Sequence, residues 1–68
     1  MLIRNRAIKD ALRKEGTMNA HRLLAVMDEP SNYVLEGEHC FYVIGKYSDD
    51  EYSYLKMFVK RIFKSIVK

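Results

Sequence analysis

Apolar residues recur along this chain with two different periods, and the change from one to the other divides it. In "IRNRAIKDALRKEG", Ala7, Ile8, Ala11 and Leu12 fall on one side of a helix, with Arg6, Lys9 and Arg13 opposite. Gly16 ends that pattern, because glycine takes the left-handed conformation just past a helix terminus without strain. Lys14 sits in the last turn, where the helix dipole favours a cation. In "MNAHRLLAVMD", Ala20, Leu23, Leu24 and Met27 form a stripe at helical spacing, so a second helix is expected, capped by Thr17 or Asn19. Pro30 within "EPSN" closes it. The one-glycine joint makes the two helices packing neighbours.

The period then falls to two. "NYVLEGEHCFYVIGKY" is rich in Tyr, Val, Ile and Phe, and Gly37 interrupts it as a turn residue does. A two-residue loop at Gly37-Glu38 predicts a hairpin pairing Glu36 with His39, Leu35 with Cys40 and Val34 with Phe41. Phe41 and Val43 then point one way, Tyr42 and Ile44 the other. Both faces are apolar, so something should lie on each. In "YSDDEYSYLK", Ser48 precedes Glu51 by three residues, a capping box, with Tyr47 and Tyr52 placed as a hydrophobic staple. Asp49, Asp50 and Glu51 in the first turn and Lys64 and Lys68 toward the end suit the dipole of a helix over residues 49–67. The expected fold is α+β, ααββα, in one small domain spanning residues 1–68.

Size changes this picture. A chain of 68 residues buries only about 60% of the surface that its unfolded form exposes, so the core is small and a homodimer is expected. Cys40 is the only cysteine, which excludes an internal disulfide and suits a reducing compartment. No apolar run approaches the roughly 20 residues of a spanning helix, and "MLIRNR" carries charge where a signal peptide needs an apolar stretch. A cytoplasmic protein is the expectation.

Charge is arranged by region. Residues 1–22 hold six basic residues against Asp10 and Glu15; residues 23–54 hold Lys46 against seven acids; residues 55–68 hold five basic residues and no acid. At helical spacing Lys56, Lys60, Lys64 and Lys68 form one row beside Arg61, opposite Leu55, Phe58, Val59, Ile62, Phe63 and Ile66. If the two terminal helices lie side by side, Arg6, Lys9, Arg13, Lys56, Lys60, Arg61 and Lys64 merge into one cationic surface suited to phosphates. The first expectation is therefore a small regulatory module that binds nucleic acid, DNA rather than RNA.

The stretch "AIKDALRKEGTMNAHRLLAVMD", about a third of the chain, resembles the opening pair of helices in small winged-helix regulators. That resemblance implies a recognition helix next, but "EPSNYVLEGEHCF" follows, without lysine or arginine. Contacts to phosphates rather than base edges are expected. The rival expectation is a protein-binding adaptor or inhibitor working through an aromatic hairpin and the acidic middle, with Tyr33, Tyr42 and Tyr54 at the interface.

Catalysis, a cofactor, a metal and a small-molecule substrate are not expected. His39 and Cys40 are strand neighbours pointing to opposite faces, His21 lies on another element, and no spaced Cys/His set exists. Cys40 reads as a small buried apolar residue, and His39 as an exposed partner of Glu36. Asp49, Asp50 and Glu51 are explained by the helix start, and the three glycines are too scattered to cradle a phosphate.

Overall fold

In the computed structural model, which describes all 68 residues, the elements run β1 (Leu2–Ile3), α1 (Asn5–Glu15), α2 (Met18–Met27), β2 (Tyr33–Glu36), β3 (Phe41–Ile44) and α3 (Asp49–Phe63). The expected α+β order is present, with a short strand added in front. The helix boundaries follow the local signals. Gly16 takes a left-handed φ of 68° and its N–H donates to the Leu12 carbonyl. Of the two candidate caps for α2, Thr17 is the one used, its side chain accepting from the Ala20 N–H at 3.1 Å. The Ser48/Glu51 capping box is complete in both directions, at 3.2 and 2.8 Å.

Three expectations need correction. The hairpin pairs Tyr33 with Ile44, Val34 with Val43, Leu35 with Tyr42 and Glu36 with Phe41. Gly37-Glu38-His39-Cys40 is thus a four-residue loop, closed by the Gly37 N–H donating to the Cys40 carbonyl at 2.8 Å. The pairing is offset by two residues from the expected one, so each side chain keeps its face. Glu36 pairs with the Arg4 guanidinium rather than with His39, which is exposed. Helix α3 ends at Phe63, because Lys64 adopts a left-handed φ of 52°.

Past that turn the chain becomes a strand. The Phe41 N–H donates to the Ile66 carbonyl, the Lys68 N–H to that of Phe41, and the Val43 N–H to that of Lys68, at 2.8, 2.7 and 3.2 Å. Residues 66–68 therefore run parallel to β3 with α3 as the crossover that a parallel pair requires. The sheet reads β1-β2-β3-tail, antiparallel among its three named strands.

All three helices lie on one side of this sheet. The core joins Ile8 and Leu12 of α1, Ala20, Leu23 and Met27 of α2, and Leu55, Phe58 and Val59 of α3 to Val34 and Phe41 of the sheet. Helix α2 packs against both α1 and α3. Phe41 stacks on Phe63 at 4.6 Å between ring centroids, tying β3 to the end of α3. Asn32, the one buried polar residue, holds the layers in register. Its Nδ2 donates to the Val26 carbonyl at 2.8 Å and its Oδ1 accepts from the Lys46 N–H at 2.8 Å. Its carbonyl accepts from Asn5 Nδ2 at 2.9 Å, while Asn5 Oδ1 accepts from the Val34 N–H at 2.9 Å. No helix is long and apolar enough to cross a membrane.

Candidate functional site

The expected cationic surface does not assemble. Three of its seven members are held by acids: Lys9 by Asp28 at 3.0 Å, Arg13 by Asp10 at 2.7 Å, and Arg61 by Glu15. The last pair links the ends of α1 and α3, so it also shows which side of α1 faces α3. At 100° per residue, Arg6 and Arg13 lie roughly 160–180° around the helix from Glu15, and Lys9 roughly 120°. These three turn away from α3.

The lysine row is also broken. Lys56 and Lys60 remain on α3, with the Lys56 ammonium 5.2 Å from the centre of the Tyr52 ring. Lys64 sits at the left-handed turn and Lys68 on the sheet's edge strand. Lys56, Lys60 and Lys64 have no acid within 4 Å, so this half of the basic surface is unpaired although its α1 counterpart lies elsewhere.

The sheet offers a different surface. Side chains alternate between faces along each strand, so the registers place Ile3, Tyr33, Leu35, Tyr42 and Ile44 on one face. Ile66 joins them, since its neighbour Val67 packs on the core side. None of these six belongs to the core or packs against it. No helix covers this face, and Ile3 is 63% and Ile66 65% exposed. The hairpin's second apolar face is therefore bare, and the expectation of a cover on both sides is met on one side only.

Each strand contributes to the face for a local reason. Leu35 pairs with Ile3 on one side and Tyr42 on the other, making an apolar row across three strands. Tyr33 and Ile44 form the next row. The Tyr42 ring lies over Gly37, where an added Cβ would come within 2.8 Å of it. The Cys40 sulfur favours the protonated phenol of Tyr42, as an acceptor for its hydroxyl and, when ionised, by repelling the phenolate, and so raises its pKa above the ordinary tyrosine range; burial adds a smaller push.

Of the three expected interface tyrosines, Tyr33 and Tyr42 share this face. Tyr54 does not: it stacks on Phe58 of α3 at 6.0 Å and packs against the core. Leu35 and Ile44 could be read into the face from the strand period alone. Ile3 and Ile66 could not, because Leu2–Ile3 is too short to show a period and Ile66 follows a helical pattern.

An open cleft of about 380 Å³ lies between α2 and the start of α3, lined by residues including Asn19, Arg22, Ser48, Asp50, Glu51 and Tyr54. The Glu51 carboxylate is spent on the helix cap. No three His, Cys, Asp or Glu side chains converge to hold a metal, and Cys40 is buried and free. Comparison with protein-family models, with curated proteins and with solved structures found no match.

Proposed function

We propose that this domain performs no catalysis and works by binding protein through the open face of its sheet. The observation that carries the reading is the placement of all three helices on one side, leaving Ile3, Tyr33, Leu35, Tyr42, Ile44 and Ile66 uncovered on the other. Exposed apolar side chains gathered into one patch mark interaction surfaces, whereas scattered ones do not. Tyrosine suits such a patch because its ring is apolar while its hydroxyl stays hydrated. A photo-crosslinking residue at Tyr33, tested in living cells against one at exposed Ser53 on α3, checks this. A discrete adduct from position 33 alone, lost with Leu35→Asp, is expected; no adduct from position 33 overturns the reading.

One observation favours a second activity, phosphate binding by α3. Lys56, Lys60 and Lys64 lack acid partners, and Lys64 occupies a left-handed position where glycine or asparagine ends a helix at lower cost. Its side chain is therefore a candidate for use. Duplex DNA is then shifted on a gel at low salt and released as salt rises, and Lys56→Glu with Lys60→Glu abolishes the shift without unfolding the domain.

A further inference from the structure

We infer that the partner covering the open sheet face is a second copy of this chain, packed sheet against sheet about a two-fold axis perpendicular to the strands. This rests on the protein-binding reading above and names its partner. The centre of the face is neutral. Ile3, Leu35 and Tyr42 form one row, Tyr33 and Ile44 the next, and Lys68 on the edge strand is its only charged side chain. Two copies can therefore be apposed about this axis with their neutral centres in contact, while the two Lys68 side chains meet at one open edge, where their ammonium groups stay hydrated.

The ends of the face carry opposite signs. Glu38, in the hairpin loop, lies at one end and has no cation within 4 Å; Lys46, just after β3, lies at the other and has no acid. A two-fold axis perpendicular to the strands brings Glu38 of each copy toward Lys46 of the other. An axis along the strands would set like charges together. The surface is thus complementary to itself in one orientation, as an isologous contact demands. A partner with a uniformly charged surface would meet repulsion at one end.

The arrangement also answers the shortage of core. Eleven apolar residues are buried in the whole chain. Stacking two sheets about 10 Å apart turns the bare face into the interior of a sandwich and covers the six side chains on each copy. With two strands of four residues, β1 of two and the terminal strand of three, at about 3.4 Å per residue and about 4.8 Å per strand, the footprint is roughly 210 Å². That is well below the about 800 Å² each partner supplies to a tight interface, so the association is a weak and reversible one.

Sedimentation equilibrium of the purified chain from about 10 to about 500 µM, a range that brackets micromolar affinity, tests this. The expected result is a monomer–dimer equilibrium whose heavier species is twice the chain's 8.0 kDa, with Ile44→Asp monomeric and unchanged in helix content. Should Ile44→Asp unfold, Ile3→Asp at its 63% exposed position replaces it. Glu38→Lys weakens the dimer by about threefold, and adding Lys46→Glu restores it, because the two rim charges exchange roles across the axis. A chain that stays monomeric throughout, or a dimer that Ile44→Asp and Ile3→Asp leave intact, overturns the inference. In the cellular crosslinking experiment, an adduct at Tyr33 of any mass other than the doubled chain overturns the second copy and leaves the protein-binding reading standing; no adduct at all sinks that reading itself.

Discussion

Asn32 is the one buried polar side chain, and it ties separate elements of this fold together. It reaches from the end of α2 to the joint before α3, and both of its side-chain hydrogen bonds go to backbone groups. Gly45 is glycine partly because of it, since a Cβ there would collide with Asn32 Oδ1 and lie 2.8 Å from its Cα, on a backbone already at φ 127°. Asn32→Ala leaves the Lys46 N–H and the Val26 carbonyl without that partner, and urea denaturation should show a loss of about 2–4 kcal/mol. Within "EPSN" the residue looks like one more loop former, because nothing local shows that three elements converge on it. Tyr47 is a second case. Its hydroxyl donates to the Ile44 carbonyl at 2.9 Å, and burial pushes the phenol up to about 12. The unfolded chain gives up that proton near the ordinary 10.0, so the folded state binds it more tightly. The resulting stability is complete below pH 10 and is lost as pH rises through the folded value near 12. In alkaline denaturation followed by circular dichroism, Tyr47→Phe should lose stability less steeply over that window, while costing about 1 kcal/mol at neutral pH for its lost hydrogen bond.

At the scale of elements, the start of α3 was more legible than its end. Ser48 and Glu51 announce α3 because both halves of a capping box lie within four residues of sequence. Its end at Phe63 is not announced, since Lys64 is an ordinary helix former and the pattern continues through Ile66 and Val67. The helix stops because Val67 gains more by packing on the core side and pairing beside Phe41 than by one further turn. Holding an L-residue left-handed costs about 1–2 kcal/mol, and glycine removes most of it. Lys64→Gly should therefore stabilise the domain by about 0.5–1 kcal/mol in urea denaturation, whereas Lys64→Val should destabilise it, its branched Cβ fitting that turn worst. The hairpin shows the converse: the strands and their faces follow from alternation, while loop length does not, and an offset of two residues leaves the faces unchanged.

For the whole molecule, the sequence by itself determined the order of the three helices and the hairpin, the Gly16 stop of α1, the capping box of α3 and which side chains of β2 and β3 share a face. Each depends on residues within a few positions of one another, where backbone geometry and short-range hydrogen bonding dominate. What only the tertiary structure decided is which surfaces remain free. Whether Arg13 and Arg61 are open cations depends on Asp10 and Glu15 lying beside them, and one of those pairs joins residues on different helices. Whether Tyr42 faces solvent or a helix depends on all three helices choosing the same side of the sheet. The terminal strands that widen the open face, Leu2–Ile3 and residues 66–68, exist because β2 and β3 each offer an unpaired edge, and an unpaired edge recruits backbone from anywhere in the chain. Charge along a sequence is a local property; the exposure of charge and of apolar area is settled by packing between elements far apart in that sequence.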